Sequence, residues 1–163
     1  MSILIFSKPI HSGKTTELKE WSALQKNIGG ILMPDINGLR HMQNIRTGDI
    51  FVTQCIDQEN TKEELETIGR FQFYARSFRK ANEILLNEIL LAPDWLIIDE
   101  VGRLEIEKGG FFPALQELIP CYSDTKMKGT LLVVIRETLL ETVCEFFELK
   151  TPRVIHSLDG PLK

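Results

Sequence analysis

Three stretches of the chain are apolar without interruption: Ile3-Leu4-Ile5-Phe6, Trp95-Leu96-Ile97-Ile98 and Leu131-Leu132-Val133-Val134-Ile135. A strand with one face in water alternates apolar and polar residues. Continuous runs therefore predict strands covered on both faces, as in a parallel sheet flanked by helices. Helical spacing fills the intervals. After Gly13, KTTELKEWSALQKN sets Leu18, Trp21 and Leu24 at three-residue steps. Ser77 is placed to cap FRKANEILLNEILLA, where Ala81, Ile84, Leu85, Glu88 and Ile89 form a mostly apolar stripe that stops before Pro93. Leu139, Leu140, Val143, Cys144 and Phe147 make a third stripe, in which Cys144 reads as core. The stretch 29–56 has a different grain. Gly29-Gly30 predicts the end of the first helix. A looser alternation follows, with turn residues at Asn37-Gly38 and Thr47-Gly48-Asp49, and predicts an inserted antiparallel hairpin. With no repeat and no linker, the alternation of strands and helices predicts one domain over residues 1–163, α/β with a mixed sheet.

The junction after the first apolar run reads SKPIHSGKTT and opens directly into a helix. A Gly-Lys-Thr at a strand-to-helix turn is the setting in which successive backbone N–H groups and a helix N-terminus cradle phosphate oxygens. The loop residues are Ser7, Lys8, Pro9, Ile10, His11, Ser12, Gly13, Lys14, Thr15 and Thr16. In this reading the Lys14 ammonium reaches the β- and γ-phosphates, the Thr15 hydroxyl ligates Mg²⁺, and the Thr16 amide lies near the α-phosphate. Counting back from Gly13, Lys8 occupies the first glycine position of G-x-x-x-x-G-K-[ST]. The competing reading is an ordinary helix start with Thr15 and Thr16 as capping residues.

A second motif, WLIIDEVGRLE, follows another apolar run. Asp99 at the end of that strand suits the magnesium side of the site, as a carboxylate holding a coordinated water. Glu100, where the strand gives out, suits a general base for the attacking water. The alternative is a solvated acidic pair at a strand end. Arg103 is placed to offset charge on the phosphoryl group, or to pair with Glu105 or Glu107. Arg136, at the end of LLVVI, is either a group that senses the γ-phosphate or a surface cation. Arg70, Arg76, Arg79 and Lys80 form either a basic rim over the site or a solvated face.

Asp99-Glu100-Val101-Gly102-Arg103-Leu104-Glu105 resembles the D-E-apolar-G-basic-apolar-E signature of a family of small nucleoside-triphosphatases, the hyperthermophile-type and cancer-related enzymes. The resemblance runs the length of the chain. It takes in Gly29-Gly30 before a hairpin, Phe73 to Phe78 before the second long helix, LLVVIR after the acids, and Arg153-Val154-Ile155-His156 as a closing strand. It implies a RecA-like P-loop fold and Mg²⁺-dependent hydrolysis of ATP, GTP and related nucleotides with weak base selectivity. The phosphate loop departs from the family form G-x-P-G-x-G-K-T, placing Lys8, Ile10, His11 and Ser12 on a turn where glycine gives close backbone approach.

Charge narrows the partners. Nineteen basic against 23 acidic residues leave the chain at −4, a poor start for gripping a nucleic acid. The three cysteines, Cys55, Cys121 and Cys144, form no CxxC pair and suit reduced thiols in a cytoplasmic protein. No signal-peptide pattern opens the sequence, and no apolar run approaches the ~20 residues of a membrane span. Besides hydrolysis, two functions use the same cradle: a small P-loop kinase, which would need an Arg-rich lid, and a nucleotide-binding switch with little turnover.

Overall fold

The apolar runs form the centre of one sheet. The computed structural model describes residues 3–9, 12–57, 60–124, 127–159 and 162. In chain order the elements are β1 (Ile3–Lys8), α1 (Lys14–Ser22), β2 (Ile28–Leu32), β3 (Asp35–Ile36), β4 (Leu39–Asn44), β5 (Ile50–Val52), β6 (Leu65–Ile68), β7 (Phe71–Tyr74), α2 (Ala75–Leu91), β8 (Trp95–Val101), α3 (Arg103–Ile106), α4 (Phe112–Ser123), β9 (Thr130–Arg136), a 3₁₀ turn (Glu137–Leu139), α5 (Leu140–Phe146) and β10 (Arg153–Ile155). The main sheet runs β10-β1-β9-β8-β2-β4-β3, with β5 also paired to β4. From β10 to β2 every pairing is parallel, and β4 turns the sheet antiparallel. β9 thus lies between the strand that leads into the Gly13-Lys14-Thr15 turn and the strand that carries Asp99 and Glu100.

Alternate residues of each central strand enter different cores. Ile3, Ile5, Leu96, Ile98, Leu131, Val133 and Ile135 pack with Ala81 and Leu85 of α2, Leu115 and Leu118 of α4 and Val143 of α5. Leu4, Phe6, Trp95, Ile97, Leu132 and Val134 pack with Leu18 of α1 and Leu158. The strands are covered on both faces, as continuous hydrophobicity predicts. The α1 seat is the thinner one. Leu18 is its single fully buried apolar side chain, contributing about 1.5–3 kcal/mol, supplemented by Trp21 edge-on to Trp95 with ring centroids 4.9 Å apart. Leu24 lies beyond the helix and is exposed, outside the stripe expected of it.

The structure corrects two local readings. Gly29-Gly30 does not end the first helix, which stops at Ser22; both glycines lie inside β2, paired with Leu96 and Ile97. Gly30 has φ +119°, and a Cβ there would stand 2.1 Å from the Ile97 carbonyl oxygen. A Cβ on Gly29 would stand 2.2 Å from Glu88 Oε2. That buried carboxylate accepts Nε and Nη2 of Arg46, locking α2 to the turn after β4. Nor does Ser77 cap α2: the helix starts at Ala75, and the Ser77 hydroxyl instead donates to the Val52 carbonyl at 2.7 Å. The hairpins over 35–52 are as expected, with positive φ at Asn37, Gly38 and Gly48. A separate two-stranded hairpin, β6–β7, turns at Gly69-Arg70 without having been anticipated.

Gly30→Ala should destabilise the chain by about 3–5 kcal/mol, combining left-handed strain with a steric clash against β8. Gly38→Ala meets open space and should cost only the strain of its positive φ, about 1–3 kcal/mol. Denaturant midpoints of the two variants test this, and equal losses would contradict the seating of β2.

Candidate functional site

Gly13 precedes α1 with φ 76°, and no side chain caps the helix. Thr15 is therefore not a capping residue. Its hydroxyl donates to Asp99 Oδ2 at 3.0 Å, joining α1 to β8. Asp99 is fully buried. Oδ2 also accepts the Met33 N–H at 3.1 Å, while Oδ1 is buried with no hydrogen-bond partner among the described residues. Burial pushes the Asp99 carboxyl up to about 6, and the charge of Glu100 adds to this. Hydrogen bonds from Met33 and Thr15, and the charge of Arg40, pull the other way.

The loop is closed by its own lysine. Lys14 is buried, and its Nζ donates to the Pro9 carbonyl at 3.0 Å and to the Lys8 carbonyl at 3.3 Å. Ser12 Oγ donates to the same Pro9 carbonyl at 2.7 Å. Ser7 is buried, its hydroxyl has no partner among the described residues, and its carbonyl accepts His156 Nδ1–H at 2.7 Å. Lys8 pairs with Glu17 of α1, whose other oxygen accepts the Leu158 N–H at 3.0 Å. Thr16 is exposed on the first turn of the helix. Ile10 and His11, the bulky residues on the expected turn, lie outside the described residues.

β8 runs two residues beyond Asp99, so Glu100 lies within the strand rather than past its end. The pairing with β9 shifts register between Ile98 and Val101, and the Asp99–Glu100 peptide is cis. The Glu100 carboxylate forms an ion pair with Arg136 at the end of β9, so these two side chains meet. Arg103 opens α3, is exposed, and forms no ion pair among the described residues. Arg76 and Arg79 pair with Glu63 and Glu64 on the surface, which is the solvated-face alternative for that cluster. Arg40 was not anticipated at the site. Its Nη1 donates to the Met33 carbonyl at 3.4 Å, one peptide from the Asp99 contact. Only the Asn37-Gly38 turn hints at it, by returning β4 beside β2.

Among the described residues no group of three or more His, Cys, Asp and Glu side chains gathers as a cation cage. Mg²⁺ does not need one: it keeps several waters and takes one or two carboxylates plus substrate phosphates. The unpartnered Oδ1 of Asp99 beside the Thr15 hydroxyl fits that donor set.

No family model and no curated protein matches the sequence. Two solved structures do match the fold. One is the crystal structure of THEP1 from the hyperthermophile Aquifex aeolicus, at 19% identity and TM-score 0.69, covering 96% of this chain and 89% of that one. The other is the solution structure of a human cancer-related nucleoside triphosphatase, at 18% identity and TM-score 0.67, covering 98% and 90%. The chain has their fold. This architecture, a mostly parallel sheet flanked by helices with antiparallel additions, sets Lys14, Thr15, Asp99, Glu100 and Arg136 at one edge of the sheet.

Glu105, the last acid of the motif, is buried in α3. Burial pushes its carboxyl up to about 7, helped by the charge of Glu66 and opposed by hydrogen bonds from the backbone of Phe111 and Gly102. The folded chain keeps this proton where the unfolded chain, titrating near 4.5, has lost it. The contribution of Glu105 to stability should therefore fall as pH rises from about 4.5 through about 7. Asp99, raised to about 6, acts with the same sign. Denaturation across that window should show a shallower pH slope in Glu105→Gln than in the parent, and equal slopes would contradict the shift.

Proposed function

We propose that the chain is a nucleoside-triphosphate phosphohydrolase, Mg²⁺-dependent and of broad base range, acting on ATP- and GTP-like nucleotides. The observation that carries this reading is the 3.0 Å hydrogen bond between Thr15 and Asp99, with Glu100 next in the strand. It brings the hydroxyl after Lys14 to the buried acid, as phosphoryl transfer in a P-loop protein requires. The name of one structure that shares the fold, a human cancer-related nucleoside triphosphatase, supports it. In this scheme the loop amides and Lys14 bind the phosphates, Lys14 giving up its contacts with the Lys8 and Pro9 carbonyls. Thr15 and Asp99 would hold Mg²⁺, which would supply charge neutralisation to the bound phosphates. Glu100 accepts the proton of the attacking water. An arriving γ-phosphate competes with Glu100 for Arg136, and Arg103 stands exposed on the same acid loop to offset developing charge. Three free thiols and the absence, among the described residues, of a helix able to cross a membrane suit a cytoplasmic protein.

The Glu100–Arg136 pair favours a second reading, a nucleotide-binding switch, because it occupies the base. Phosphate release from ATP with Mg²⁺ and no added acceptor separates hydrolysis from both switch and kinase.

Lys14→Ala should weaken nucleotide binding at least tenfold, since a hydrogen bond to a charged group contributes about 1.5–3 kcal/mol. Calorimetry that finds equal affinities would remove the phosphate loop from the proposal. Glu100→Gln keeps the shape but cannot accept a proton. Turnover should drop about 10²–10⁴-fold while affinity is kept or strengthened, because Arg136 is released to the phosphate, and parental turnover would remove Glu100 as the base.

A further inference from the structure

The acid motif ends in a carboxylate that the scheme above does not use. Glu105 is 2% exposed, and among the described residues no Lys or Arg pairs with it. Its partners are backbone: Oε2 accepts the Gly102 N–H at 2.7 Å, and Oε1 accepts the Phe111 N–H at 3.0 Å. Gly102 is the first residue after β8 and precedes Arg103. One carboxylate thus clamps the exit of the acid strand to the loop that begins α4.

That loop is shaped around the clamp. Gly110 has φ +60°, and a Cβ there would stand 2.1 Å from Glu105 Oε1. Its N–H donates to Glu66 of β6 at 2.6 Å. A Cβ on the neighbouring Gly109 would stand 2.7 Å from Glu66 Oε2. Two glycines therefore leave room for two carboxylates, one on the acid loop and one on the β6–β7 hairpin. Burying a carboxylate without a cation is costly, and an uncharged residue would fill the space at less expense. Sites that break such a rule are those where position matters more than stability.

We propose that Glu105 is a positioning residue: by holding Gly102 it fixes the direction in which β8 presents Glu100, and Glu66 backs the same loop from the hairpin. The proposal rests on Glu100 acting as the base. Displacing a reacting group by about 1 Å can cost a hundredfold in rate. A residue that acts through Glu100 has nothing left to position once Glu100 is gone.

The test is a double-mutant cycle, reading phosphate release from ATP with Mg²⁺ above the Glu105 titration range, with calorimetric affinity for ATP alongside. Glu105→Gln should lower kcat about tenfold to a hundredfold with affinity unchanged. In the Glu100→Gln background the same substitution should cause no further loss. An equal loss in both backgrounds, or a loss matched by fewer competent binding sites, overturns the proposal. If Glu105→Gln fails to fold, Glu66→Gln decides. A smaller loss that vanishes without Glu100 supports the clamp, and one that persists overturns it. Parental turnover in Glu100→Gln alone would instead remove the hydrolytic scheme.

Discussion

Parallel strands buried on both faces must all end at the same edge, and everything in this site follows from that constraint. β1, β9 and β8 are neighbours in one direction, so Lys8, Arg136 and Glu100 arrive together although they are far apart in the chain. Register is strict because a one-residue slip would exchange the two cores. The loops are free to vary; the strands that deliver them are not.

The same constraint decides what could be read beforehand. β1, β8 and β9 were legible because burial on both faces writes itself as unbroken apolar sequence, and Gly-Lys-Thr and Asp-Glu stand next to those runs. β2 was not legible. Its central glycines look like a helix stop, yet they are there because Ile97 and the Glu88 carboxylate come too near for any side chain. Ser77 misled for a related reason: a hydroxyl near a helix start has a local use as a cap, whereas here it serves a strand 25 residues away in sequence. Arg40 and the Met33 amide reach Asp99 only through tertiary folding, and no local pattern announces such a neighbour.

Three cations at the site have partners within the chain. Lys8 is held by Glu17, Arg136 by Glu100, and Lys14 by two carbonyls. A chain of net charge −4 thereby holds these three cations at one edge, each with a partner, and Arg103 stands exposed beside them. An anion has to displace these partners, which favours a compact, highly charged group over a diffuse one. The departures from the glycine-rich loop bear on the same point: Lys8, at the first glycine position, uses its side chain to tie β1 to α1.

The edge-to-face contact of Trp21 and Trp95 joins α1 to the start of β8. These are the chain's two tryptophans, and they sit on the two elements that carry Lys14 and Asp99. Indole rings at this separation couple electronically, so their near-ultraviolet circular dichroism and emission depend on the angle between them. The molecule therefore carries its own optical gauge of the site: a rearrangement that moves α1 against β8 registers in light, with no label attached.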